Sequence, residues 1–146
     1  MKIAQIAPLW KSAPSPATSE PERALSYLTD ELVRRGHEVT LFASADSRTS
    51  ATLEVLCAMP PDRTPENWSR ADAAILAVER VFGPRVDEFD LIHSYFGVNG
   101  FPMAQLCPIP TVTTLYDGLD LPEYVPMFKQ FRDLPLVSTS EAQRRP

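Results

Sequence analysis

The chain has 146 residues, 14 basic and 19 acidic, for a formal charge of -5 and a hydrophobic content of 44%. This is the size and balance of one globular domain, and an acidic chain without a basic cluster argues against gripping nucleic-acid phosphates or anionic membranes. No run approaches the roughly 18 apolar residues of a membrane helix and the N-terminus has no signal-peptide pattern, so a cytoplasmic location without an integral membrane segment is expected.

Residues 2–7 (KIAQIA) form an apolar run closed by Pro8 and read as a strand; residues 11–20, with Pro14 and Pro16, have no period and read as an exposed loop. From 21 to 35, Leu25, Leu28 and Leu32 recur at helical spacing, with Pro21 suited to the first turn and Gly36 to the C-cap. Residues 38–43 (EVTLFA) are a second strand and 52–57 (TLEVLC) a third. Between 66 and 82, Trp68, Ala71, Ile75, Val78 and Phe82 mark the expected buried stripe of a second helix, stopped by Gly83-Pro84. Strands are expected at 91–93, 111–115 and 136–138, with helices at 97–106 and 122–131.

Alternating strands and helices predict an α/β fold, a three-layer sandwich with a Rossmann-like central parallel sheet spanning residues 1–146 as a single domain. Ligands of such sheets gather beyond the carboxyl ends of the strands. The loops 8–20, 44–48, 93–97 and 116–120 should therefore share one rim.

The chemistry-bearing residues are few. No G-x-G-x-x-G follows the first strand and no P-loop or G-x-S-x-G elbow occurs, so common phosphate cradles and a serine hydrolase are disfavoured. Cys57 and Cys107 are widely separated in apolar contexts and read as reduced core residues. With two histidines, unpartnered in sequence, neither a metal nor another cofactor is expected. His37 sits at the opposite end of the sheet from the rim and reads as structural. His93, ending a strand on the rim, is either a satisfied core imidazole or a ligand contact. Asp46 is a turn residue or a ribose-binding acid; Asp117, Asp120 and Glu123 either cap a helix or form a carboxylate cluster.

Six segments in order carry a resemblance: IAPLW (6–10), ERALSYLTDELVRRGHEVTLFAS (22–44), DSRT (46–49), FDLIHS (89–94), TTLYDGLDLPE (113–123) and DLPLVSTSEAQRRP (133–146). Together they resemble the N-terminal, acceptor-side domain of family-four retaining glycosyltransferases of the GT-B fold. That resemblance implies half of a GT-B fold, with the donor-binding C-terminal domain absent from these residues. It also implies a sugar acceptor, and as partner either a donor-domain polypeptide or a second copy of the chain.

The departures are confined to the cleft. Where the family carries a Gly-Gly pair before its first helix, this chain has Ser19 and Glu20; where it carries T-L-H-G, this chain has Thr114-Leu115-Tyr116-Asp117; and Tyr95 replaces the second histidine of H-x-H, leaving His93. A carboxylate about 5 Å from a phosphate charge costs roughly 3 kcal/mol at an effective dielectric near 20, about a hundredfold in affinity. The resemblance implies His93, Tyr116 and Asp117 as candidates for catalysis. It implies Trp10, Ser19, Glu20, Tyr95, Asp120 and Glu123 for substrate contact. The reading is a glycosyltransferase-like half-molecule, degenerate at the donor-facing loop and inactive unless complemented, or a non-catalytic interaction module that reuses the domain.

Overall fold

The computed structural model describes residues 1–8, 20–57, 70–116 and 118–144, with the backbone alone at residues 20 and 70–74. Six strands alternate with helices: β1 (Lys2–Ile6), α1 (Glu20–Arg34), β2 (Glu38–Ser44), β3 (Thr52–Cys57), α2 (Arg70–Phe82), β4 (Leu91–Ser94), α3 (Phe101–Leu106), β5 (Thr111–Leu115), α4 (Val125–Gln130) and β6 (Leu136–Ser138). The strands form one parallel sheet in the order β3-β2-β1-β4-β5-β6, the doubly wound arrangement expected from the sequence.

The register makes the two faces of the sheet explicit. Gln5 of β1 lies beside Leu41 of β2 and His93 of β4, and His93 lies beside Val112 of β5. In a parallel sheet such neighbours share a face and alternate residues point oppositely. One face therefore carries Gln5, Ala7, Leu41, Ala43, His93 and Tyr95, and α1 covers it through Leu25, which is fully buried against Ala7, Leu41, Ala43 and Tyr95. The other face carries Ala4, Ile6, Phe42, Ile92 and Phe96, and packs against Ala77 and Val81 of α2 and against Phe89. Phe42 meets Phe89 edge-on at 5.9 Å. Burying each such large side chain contributes about 1.5–3 kcal/mol.

Helix α1 ends in a cap that the sequence announces. Gly36 adopts φ +83°, its N–H bonds the Val33 carbonyl at 2.9 Å, and the His37 N–H bonds the Leu32 carbonyl at 3.1 Å. This pair of bonds is the Schellman motif, which satisfies otherwise orphaned carbonyls and needs a left-handed residue.

Two helix faces differ from the periodicity reading. On α1 the buried residues are Glu22, Leu25 and Thr29, while Leu28 and Leu32 are half-buried flanks. Two polar residues on the inner stripe shifted the face away from the one leucines alone would define. On α2, Ile75 is 67% exposed and Ala77 and Val81 are the buried pair, with Val78 and Phe82 beside them. This helix is apolar on several sides, so spacing could not choose between stripes; small Ala77 faces the sheet. Trp68 and the side chain of Ala71 lie outside the description.

The helix expected over 97–106 is split into a 3₁₀ turn, Gly97–Gly100, and α3, whose second residue is Pro102. The helix expected over 122–131 begins only at Val125, with Pro126 in its first turn. Phe101 of α3 contacts Phe128 and Phe131 at 5.9 and 5.8 Å, which docks α4 beside α3. Cys57 is buried and Cys107 half-buried, both as free thiols.

Candidate functional site

The chain leaves β1 toward β2 on one side and reaches β4 on the other, so the strand order reverses between β1 and β4. Beyond their carboxyl ends, doubly wound sheets open a crevice. Backbone bonds hold both walls: the Tyr95 N–H to the Ile6 carbonyl at 3.0 Å, and the Ala7 N–H to the Phe42 carbonyl at 2.9 Å.

Strand alternation sends His93 and Tyr95 to the α1 side of β4, and Thr114 and Tyr116 to the same side of β5. The His93 Nε2 lies 2.8 Å from the Thr114 hydroxyl. The His93 and Tyr95 rings are 4.6 Å apart, tilted by 39°, and Tyr95 stacks on Tyr116 at 6.0 Å and 21°. Three rings thus climb from the sheet interior toward the rim. His93 and Tyr95 are buried and Tyr116 is half-buried.

Burial sets the protonation of this ladder. Desolvation lowers the His93 imidazole from 6.5 to about 4, so it is neutral at pH 7. Burial, reinforced by Tyr116, pushes the Tyr95 phenol above its ordinary range, against the opposing pull of a hydrogen bond with Thr114. At neutral pH the ladder therefore offers an uncharged imidazole and protonated phenol, which can donate and accept hydrogen bonds and stack on a ring. A charged imidazolium acid is absent from it.

Beneath the ladder lies a polar pair. Gln5 is fully buried on β1 beside His93; the Thr29 hydroxyl donates its one proton to the Leu25 carbonyl at 2.8 Å and its oxygen meets the Gln5 side-chain amide. Among the described residues nothing accepts from the Gln5 Nε2. One turn before Leu25, Glu22 places a carboxylate that is only 2% exposed in the first turn of α1.

Of the residues singled out from sequence, His93, Tyr95 and Tyr116 come together. Trp10, Ser19 and Asp117 lie outside the described residues, and Glu20 is described only as the first residue of α1. Asp120 and Glu123 are exposed in the turn before α4, where Tyr124 is the N-cap and no side chain bonds the helix end. Asp120 Oδ1 instead folds over Gly118, 2.9 Å from where a β-carbon would stand there. His37 is half-buried at the opposite end of the sheet, and Asp46 is exposed, its charge together with burial raising the Cys57 thiol.

Sequence reasoning missed Gln5, Thr29, Glu22 and Thr114. The strand alternation that aligns 114 with 116 could have found Thr114. Among the described residues no group of His, Cys, Asp and Glu could hold a metal ion, and no helix is long and apolar enough to cross a membrane.

The reversed strand order and the crevice at its switch point define a doubly wound, Rossmann-like domain. The chain belongs to Glycosyltransferase Family 4, whose sequence profile matches residues 21–141. Among solved structures it is similar to MurG from Acinetobacter baumannii, with 10% identity, a TM-score of 0.52, and coverage of 94% of this chain and 45% of that one. It is also similar to sucrose-phosphate synthase from Thermosynechococcus elongatus, with 16% identity, a TM-score of 0.56, and coverage of 99% and 37%. At these identities the likeness shows the fold, and the chain spans less than half the length of either protein. No curated protein sequence matches it significantly.

Proposed function

We propose that residues 1–146 are a single acceptor-side domain of a retaining glycosyltransferase, altered at the donor-facing loop so that it transfers no sugar without a donor-binding half. The observation that carries this reading is the first turn of α1. Glu20 opens the helix, Pro21 follows without an N–H, and the carboxylate of Glu22 is buried two residues on. The positive end of a helix dipole ordinarily attracts phosphate; a first turn that begins Glu20-Pro21 lacks the N–H of the proline and is acidic in sequence, which opposes a nucleotide's diphosphate.

The ring ladder supports an acceptor role for the same crevice. Stacked phenols and a neutral imidazole suit an uncharged sugar better than an anion. Tyr95 and Tyr116 contact the acceptor and His93 holds a hydroxyl of it; Trp10, Asp117, Asp120 and Glu123 keep the substrate-contact or catalytic roles that the family resemblance implies for them. The donor-binding half is supplied by a second α/β unit, and the partner reading of the chain is a polypeptide of that kind. Mixing the chain with candidate donor-domain polypeptides and assaying sugar transfer tests this: a stable complex with turnover supports it, and neither complex nor turnover with any of them removes it.

A second reading, a non-catalytic module that self-associates, is favoured by one feature. Leu136 and Val137 of the edge strand β6 are 38% and 43% exposed, and an open apolar strand edge is a pairing surface. Light scattering across a hundredfold concentration range separates the two, since a constant monomer mass excludes self-association.

A further inference from the structure

We propose that the groove between α1 and the segment joining β2 to β3 binds a soluble phosphomonoester, at a site apart from the rim and independent of what the rim does. Neighbouring parallel strands normally need a crossover of a dozen or more residues. Here β2 and β3 are joined by residues 45–51 alone, so the segment must run back toward the start of β3. Asp30 of α1 pins it: its Oδ1 accepts from the Ser50 hydroxyl at 2.5 Å and from the Ser50 N–H at 3.4 Å.

The result is an open cleft of about 660 Å³ lined by Ser26, Asp30, Arg34, Arg48 and Thr49 among others. That volume lies within the range of small-molecule sites. Its polar groups are two guanidinium donors, three hydroxyls that donate or accept, and one carboxylate. Arg48 is exposed and bonds no described residue. Arg34 spends Nε and Nη2 on Glu31 at 2.7 and 2.6 Å, which leaves Nη1 to donate. The Thr49 oxygen accepts from the Ala51 N–H at 3.1 Å, so its proton is free to donate outward, and the Ser26 hydroxyl adds another donor.

Charge points the same way. Of the residues lining the cleft, Arg34 and Arg48 are cationic and Asp30 is anionic, a local excess of one positive charge on a chain of net -5. Of the acceptors on Asp30, Oδ1 is committed to Ser50. The Ser26, Thr49 and Ser50 hydroxyls can donate or accept, so it is the guanidinium groups of Arg34 and Arg48 that favour an anion over a neutral sugar. A phosphate needs donors alone, and guanidinium groups supply them with matching geometry. The cleft borders the later turns of α1, whose first residue marks the rim end, so the phosphate is remote from the ring ladder.

The test is an amide NMR titration of the full chain with inorganic phosphate and with a hexose monophosphate, at constant ionic strength made up with chloride. Saturable shifts confined to residues 26–34 and 48–51 are expected. Arg48→Glu should weaken them at least tenfold, with the rest of the spectrum preserved, whereas Arg132→Glu, at an exposed guanidinium elsewhere, should leave them unchanged. Shifts that do not saturate, that spread over all arginines, or that survive Arg48→Glu would overturn the proposal. Equal shifts with the unphosphorylated hexose would overturn it in favour of a carbohydrate. Sedimentation with phosphatidic acid vesicles, lost in Arg48→Glu and unaccompanied by saturable shifts from either soluble phosphate, would overturn it in favour of a lipid surface.

Discussion

Replacing His93 by asparagine should flatten the acid side of the stability curve. In the folded chain the imidazole is buried and titrates at about 4 rather than 6.5. Between those values the unfolded chain binds a proton that the folded chain refuses, so stability is lost as pH falls through 6.5 and the loss levels off below 4. At pH 5 the loss relative to pH 7.5 is about 2 kcal/mol, and its full extent is about 3 kcal/mol, from about 1.4 kcal/mol per pH unit. Carboxylates held low in the folded state, such as Glu31 between Arg34 and Arg35, also lose stability in acid, but chiefly below pH 4.5, and they are common to both proteins. The assay is urea unfolding of the parent and the His93→Asn variant at pH 7.5, 6 and 5. The variant starts less stable because it loses ring packing and the Thr114 bond, yet the gap should narrow by about 2 kcal/mol at pH 5. A gap that stays constant from pH 7.5 to 5 would show that His93 is not held neutral, and the proposed uncharged crevice would fail with it.

Two further substitutions test the framework beneath the crevice. Gly36→Ala forces a β-carbon into the left-handed cap of α1; no atom lies within 4 Å of it, so the cost is backbone strain alone, about 1 kcal/mol in urea unfolding. Gln5→Leu removes a buried amide nitrogen without a partner among the described residues, while Thr29 keeps the Leu25 carbonyl. Its stability should fall within about 1 kcal/mol of the parent, whereas an ordinary buried hydrogen-bonded glutamine would cost more.

The strands were legible because a sheet buried on both faces writes itself as short apolar runs such as KIAQIA and EVTLFA, and their alternation with helical spacing gives the parallel order. The faces of the helices were less so. Thr29 and Glu22 turn inward, and a rule that sends polar residues to solvent cannot foresee a threonine meeting a buried glutamine across α1 and β1. Ile75 failed for the opposite reason: a helix rich in apolar residues on every side carries no unique stripe. At the crevice, motif order pointed to His93, Tyr95 and Tyr116, but only the register shows that Thr114 ties the imidazole and that burial keeps it neutral. Asp120 and Glu123, implied by the resemblance, lie exposed in the turn before α4.

The central claim is that the first turn of α1 repels the nucleotide diphosphate. Calorimetric titration with nucleoside diphosphate hexoses, on the unmodified chain and on the Ser19→Gly, Glu20→Gly double variant, tests it most directly. The account predicts no binding tighter than millimolar for the unmodified chain and a gain of tenfold or more in the variant, a fraction of the roughly 3 kcal/mol that a carboxylate beside a phosphate costs before solvent screening. Micromolar affinity in the unmodified chain, unchanged by the two glycines, would contradict it.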